Sequence, residues 1–306
     1  MGTPLFAVPS LKALISDNHF EIVGAVTQPD KPVGRDQNPK PSPIKQVALE
    51  NNIPVLTPHK IKNNPEFVNQ LKNFNPDVMV VAAYGKILPQ EILDLPKFGI
   101  VNVHASLLPK YRGASPIATA VLNGDKTTGI TLIKMDLKMD TGPIIAISRE
   151  MAIEPEDTAS ALSEKLADVG ANLLIQHLPK YLAGEITPRP QDEIEATYVK
   201  PIQKADGKID WQTEAKILAR KVRAYHPWPG SFTNFNGKLI KILQAEILDQ
   251  NPVASGTIWQ TLDKYPAIAT PNGSLKIIKL QLEGKPATSG KNFLLGYPTF
   301  IGSTLS

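Results

Sequence analysis

The 306-residue chain contains no cysteine. That excludes disulfides, thiolate nucleophiles and Cys-ligated zinc, and it fits a reducing compartment. No apolar run reaches the roughly 18 residues that a membrane span requires. The opening, Met1-Gly2-Thr3-Pro4, has neither a basic n-region nor an apolar h-region, so no export signal is expected. Internal repeats and low-complexity segments are missing too. The five histidines (His19, His59, His104, His177 and His226) show no spacing that would pair them on a metal. These absences predict a cytoplasmic, soluble globular protein with no membrane contact, long enough for two domains of roughly 150 residues.

Charge is unevenly divided. Residues 1–200 hold 20 basic and 22 acidic side chains, whereas residues 201–306 hold 13 and 7, a net of +6. A near-neutral first part with a basic second part suits a catalytic domain carrying a polyanion-binding appendage, although ordinary surface variation gives the same sum.

The first part alternates Val/Ile-rich runs (21–27, 77–83, 99–104, 129–135 and 144–151) with amphipathic segments, the pattern of parallel strands joined by helices. Pro65–Phe74 has a proline suited to a first helical turn and Phe67 and Leu71 on one face. Residues 158–178 carry the stripe Leu162, Leu166, Val169, Leu173. Gly170 weakens that helix and Pro179 is expected to end it. Residues 188–202 lack periodicity and read as a linker. Beyond it, 211–223 is helical and five short β-like runs follow, suggesting a small barrel. A doubly wound sheet normally opens with a strand, yet this chain begins at a turn that should follow one; a missing upstream segment is expected.

The densest chemical constellation is Ile100-Val101-Asn102-Val103-His104-Ala105-Ser106-Leu107-Leu108-Pro109-Lys110-Tyr111-Arg112-Gly113. Asn102 and His104 lie two apart on an expected strand, so their side chains leave the same face, near the strand end where open α/β sheets bind ligands. An amide donor beside an imidazole suits a reaction that builds negative charge on a carbonyl oxygen and moves a proton. Spacing alone equally allows an asparagine capping a turn and a histidine satisfied by a backbone carbonyl. Asp140 alone reads as a turn residue. If its strand neighbours that of His104, it becomes the carboxylate that orients the imidazole or accepts a proton.

Taken together, residues 1–10, 27–35, 83–89, 102–117, 135–145, 205–211 and 227–230 resemble the methionyl-tRNA formyltransferases, over almost the whole chain. The Asn-x-His-x-Ser-Leu-Leu-Pro run with a downstream Asp-Thr-Gly points to folate-dependent formyltransferases. The Met-Gly-Thr-Pro opening and the second part narrow this to the tRNA-acting branch. In that family a strand precedes the opening motif.

The resemblance implies an α/β, Rossmann-like parallel-sheet formyltransferase domain (1–187), a linker (188–205) and a small OB-like β-barrel that binds tRNA (206–306). The implied activity is formyl transfer from 10-formyltetrahydrofolate, a co-substrate, to the α-amine of initiator methionyl-tRNA, without metal and by a monomer. By position, Asn102 would hold the formyl oxygen. His104 would stabilise the oxyanion, and Asp140 would set the His104 state and relay the amine's proton. Ser106, Leu107, Leu108 and Pro109 would contact the folate, and Tyr84 would belong to the same pocket; Leu107 and Leu108 equally suit core packing. Arg35 and Lys40 in the 32–43 loop, and Lys208, Arg220 and Arg223 in the second part, would contact tRNA; solvated surface is the bland alternative. The rival readings are another folate-dependent formyltransferase and a catalytically decayed tRNA-binding homologue.

Two departures stand out. Lys138 replaces a glycine usual two positions before Asp140, and would strain the loop if that site needs positive φ. The 32–43 loop has fewer cations than usual and an added Asp36. Trp228, between Pro227 and Pro229, is expected to anchor packing.

Overall fold

The computed structural model describes residues 1–33 and 38–305. The chain divides into two compact units: Met1–Pro116 with Thr127–Ala152 and Ser163–Lys200, and Ile117–Lys126 with Ile153–Leu162 and Pro201–Ser306. Among the described residues no helix is long and apolar enough to cross a membrane.

The first unit is an α/β structure. Its main sheet has the strand order Ile144–Ile147, Thr131–Lys134, Ile100–His104, Met79–Val81, and a second parallel pair joins Ala25–Val26 to Val55–Leu56. Met79–Val81 runs parallel to Ile100–Asn102, as expected. Thr131–Lys134 instead runs antiparallel to both neighbours. The loop at 135–143 is too short for the crossover that a parallel neighbour requires, so the strands it joins turn back on each other. All five residues of Ile100–His104 are buried, which is why the run reads almost continuously apolar. Asn102 and His104 are its two polar members, and burial obliges them to find partners.

Helices cover this sheet where caps and apolar stripes coincide. Pro65–Phe74 starts on Asn64, whose side chain accepts from the Phe67 N–H at 3.1 Å, and buries Phe67, Val68 and Leu71. Pro43–Glu50 is capped by Ser42. The long helix Ala159–Leu182 passes through Pro179 rather than stopping there. A proline this near the C-terminus forfeits a single backbone bond, and the Ala183 N–H closes onto its carbonyl at 2.9 Å.

Several expected elements are shorter. Residues 21–27 yield only Ala25–Val26, because the partner strand Val55–Leu56 is itself two residues long. Residues 144–151 split into Ile144–Ile147 and Met151–Ala152, which pair with different strands. At the start of the chain, Met1 and Gly2 bridge two strands: Ala82 N–H donates to the Met1 carbonyl at 3.0 Å and Gly2 N–H to the Val26 carbonyl at 2.9 Å. A cavity of about 150 Å³ beside them is lined by Leu14, Leu71, Phe74 and Met79.

The second unit is β-rich. A six-stranded antiparallel sheet runs Ser231–Phe235, Lys238–Leu248, Ser274–Leu282, Pro266–Ala269, Ile258–Gln260, with Thr288–Ser289 also on Ser274–Leu282. Asn236 and Gly237, at φ 49° and 75°, make the hairpin turn between the first two strands. The ladder is open: among the described residues no pairing joins Ser231–Phe235 to Ile258–Gln260, so a closed barrel is not formed. The expected helix starts later, at Ala215–Ala224, because Trp211 belongs to the core, where its indole N–H donates to Thr233 Oγ1 at 3.1 Å. Trp211, not Trp228, is the buried anchor; Trp228 is 59% exposed.

Candidate active site

The structure brings Asn102, His104 and Asp140 together. Asn102 and His104 come from the buried central strand, His104 at its C-terminal end. Asp140 lies on the 135–143 loop, which returns along the strand paired with theirs; the register sets Asn102 opposite Ile133 and His104 opposite Thr131. Asn102 Nδ2 donates to Asp140 Oδ1 at 3.1 Å, and His104 Nδ1 stands 3.6 Å from the same oxygen. The other carboxylate oxygen accepts the Gly113 N–H at 2.9 Å. His104 also has the backbone contact that a purely structural histidine would have: Nε2 is 3.0 Å from the Tyr111 carbonyl. A carbonyl only accepts, so that contact puts a proton on Nε2 and turns Nδ1 toward the carboxylate.

The loop carrying Asp140 is held in an unusual backbone. Asp140 is left-handed, at φ 55°. Lys138 is not among the positive-φ residues, so replacing glycine there causes no strain. Gly142 is where glycine is required: a Cβ would stand 1.8 Å from the Lys134 carbonyl oxygen.

Of the residues assigned to the folate, Ser106 to Pro109 follow His104 along the chain and Tyr84 follows the strand Met79–Val81. Ser106 is buried, its hydroxyl donating to the Lys110 carbonyl at 2.5 Å. The Leu108 N–H donates to Thr131 Oγ1 at 3.0 Å, and Leu108 clusters with Ile133 and Ile144. The Leu108–Pro109 peptide is cis, and Leu107 is half-buried. Tyr84 sits in an apolar core with Phe67 and Leu88; burial pushes its phenol up to about 12. Its backbone carbonyl accepts from Gln28 Nε2 at 2.8 Å. A cleft of about 820 Å³ opens beside the Asp140 loop, lined by Lys97, Lys134, Lys138, Thr141, Glu193 and Tyr198.

Of the residues assigned to tRNA, Arg35 lies outside the described residues. Lys40 is exposed on a hairpin, with Lys31 as its register partner. Lys208 is exposed. Arg220 donates to the Asn123 carbonyl at 3.0 Å and Arg223 to the Asp157 carbonyl at 3.1 Å. Burial lowers the Arg223 guanidinium from its ordinary value.

Three residues at the site, Arg112, Gln191 and Glu193, receive no role from the motifs. Arg112 is fully buried, bound to both oxygens of Glu193 at 2.8 and 2.9 Å, to Tyr198 Oη and to Gln191 Oε1. Gln191 and Glu193 belong to the aperiodic segment expected to be a linker. The strand pair Arg112–Gly113 with Tyr198–Val199 binds that segment to the site. One signal in the sequence was available: Arg112 and Gly113 close the same run that carries Asn102 and His104.

Comparison with known proteins decides which family the chain belongs to. A formyl transferase family model matches residues 1–178, and a model of the formyl transferase C-terminal domain matches residues 201–298. The methionyl-tRNA formyltransferase of Caldanaerobacter subterraneus subsp. tengcongensis is 45% identical over 306 residues, covering all of this chain and 98% of its own. That of Thermodesulfovibrio yellowstonii is 46% identical over 295 residues, 96% of this chain and 94% of its own. The chain belongs to the methionyl-tRNA formyltransferase family.

Among solved structures, the N-formyltransferase of Helicobacter canadensis in complex with folinic acid and dTDP-3-aminofucose shares the fold at TM-score 0.65 and 20% identity, over 90% of this chain and 96% of its own. HypX from Aquifex aeolicus, in complex with tetrahydrofolic acid, does so at TM-score 0.63 and 17% identity over 92% of this chain; the chain spans 48% of HypX. Among the described residues no group of three or more His, Cys, Asp or Glu could hold a metal ion.

Proposed function

We propose that this chain transfers the formyl group of 10-formyltetrahydrofolate to the α-amine of methionyl-tRNA, at a site made by Asn102, His104 and Asp140. The observation that carries this reading is the shared carboxylate oxygen, 3.1 Å from the amide of Asn102 and 3.6 Å from the imidazole of His104. A proton acceptor and two donors then surround one small volume at a strand end.

The amine nitrogen attacks the formyl carbon, and the carbonyl π pair moves onto oxygen. Asn102 spends one N–H on Asp140 and offers its second to that oxyanion; His104, whose Nε2–H is held by the Tyr111 carbonyl, stabilises it through Nδ1 when that nitrogen carries a second proton. Asp140 takes the proton that the attacking nitrogen must lose. Collapse re-forms the carbonyl and breaks its bond to N10, which receives a proton, leaving formylmethionyl-tRNA and tetrahydrofolate. Fixed donors cost no reorganisation as charge develops, and this is what the buried strand supplies. Backbone groups of Ser106 to Pro109 bind the folate in this reading, and Tyr84 contributes its backbone while its ring supports the core.

For the acceptor, Lys40 and Lys208 offer exposed ammonium groups, and Arg220 and Arg223 offer the guanidinium N–H groups not spent on backbone carbonyls. Arg35 completes the set from the 32–43 loop. An OB-like, tRNA-binding second domain over 206–306 and a catalytic domain over 1–187 complete the reading, supported by the basic balance and short antiparallel strands of residues 201–306. The test is transfer of labelled formyl from 10-formyltetrahydrofolate to initiator and elongator methionyl-tRNA, with wild type beside His104→Ala. An unchanged rate in that variant rejects the site.

A further inference from the structure

We infer that Gln191 is a positioning residue for formyl transfer, acting through Asp140, with Arg112 holding its amide in the working orientation. The inference rests on the proposed role of Asp140.

Asp140 has a backbone conformation that a non-glycine residue keeps only when its surroundings over-determine it. Gln191 supplies that determination. Its Nε2 donates to the Asp140 carbonyl and to the Gly142 carbonyl, each at 2.8 Å, so one amide nitrogen spans the turn on which the carboxylate is mounted. A primary amide can flip, and a flipped Gln191 would set oxygen against two carbonyl oxygens. Arg112 prevents this: its Nε donates to Gln191 Oε1 at 2.9 Å, and a guanidinium accepts nothing.

Arg112 is immobile in turn. It has no exposed surface, its two terminal nitrogens grip the Glu193 carboxylate, and its planar head lies 5.5 Å from the Tyr198 ring centroid. The next residue, Gly113, donates to Asp140 Oδ2. Asp140 is therefore located by three donors, with Gln191 on its backbone carbonyl, Gly113 on one carboxylate oxygen and Asn102 on the other. Gln191 touches no reacting atom in this arrangement. Its contribution is the angle and distance at which Asp140 meets the incoming amine.

Gln191→Glu separates this role from simple stapling of the 189–199 segment. The variant keeps an oxygen for Arg112 but faces the two carbonyls with a second oxygen. Single-turnover and steady-state formyl transfer should show kcat falling about 100-fold, the scale of a displacement near 1 Å at a reacting group, with KM for both substrates little changed. In an Asp140→Asn background the same substitution should cost nothing further, because its effect passes through a carboxylate already removed. Gln191→Met, of similar volume and without an acceptor against the carbonyls, serves the same comparison if the glutamate variant does not fold. A folded Gln191 variant with wild-type kcat overturns the inference, and so does an equal loss with and without Asp140. Full activity of Asp140→Asn alone instead rejects the proposed catalytic role of Asp140.

Discussion

A Cβ on Gly170 would stand 2.8 Å from Cγ1 of Val103. The long helix thus touches the central strand at the residue between Asn102 and His104, and glycine is what permits the approach. Gly170→Ala should raise intrinsic helix propensity yet destabilise the protein by about 1–3 kcal/mol, because the stiff valine has to move. Thermal melting measures the sign. A stabilised variant would show that the contact has slack.

Asn102→Ala should lower kcat by about 10² to 10³, the loss typical of one oxyanion donor, with the folate dissociation constant little altered. Rapid-quench kinetics beside equilibrium folate titration separates the two quantities. A parallel loss of folate affinity would make Asn102 a binding residue instead.

Gly142→Ala should damage both stability and turnover. The added methyl meets a backbone carbonyl oxygen at 1.8 Å, so the loop itself must shift and carry Asp140 with it. Lys138→Gly, by contrast, relieves no strain and should leave kcat near wild type. Comparing the two kcat values tests which position the loop geometry depends on.

Arg112 holds the Glu193 carboxyl below its ordinary value of 4.5, chiefly by hydrogen bonding and then by charge. A carboxyl with a depressed folded value favours the native state above its unfolded value, and that advantage is lost as pH falls through the folded one. Wild type should therefore lose stability below about pH 4.5 more steeply than Glu193→Gln, read as melting temperature against pH. Superimposable curves would show that the pair contributes nothing.

Lys208→Ala should weaken tRNA binding about equally for different sequences and reduce the log–log salt slope by about one. Arg223→Ala should in addition lower the melting temperature, since its guanidinium serves the Asp157 carbonyl. Salt titration with melting curves on both variants distinguishes surface cations from structural ones.

Much of the site could be read from the chain. Asn102 and His104 share a face because strand periodicity is two, and the alternation of apolar runs with amphipathic segments locates the α/β unit. The bound state of Arg220 and Arg223 was hidden, because a count of positive charges does not say which of them find carbonyls. Trp228 lies exposed where an anchor was expected for a similar reason: a tryptophan between two prolines resembles an anchor, while burial depends on which strands lie underneath.

Local pattern settled which residue types the strand ends carry, since side-chain alternation, capping and turn chemistry act over a few neighbouring positions. Whether the Asp140 carboxylate would meet the amide and the imidazole depended on an antiparallel pairing and a left-handed backbone, with Gln191 and Arg112 brought in from 51 residues further on and from the next strand pair. Those are long-range contacts. A propensity summed over a window contains no term for them, because their energy exists only once the distant segments have come together.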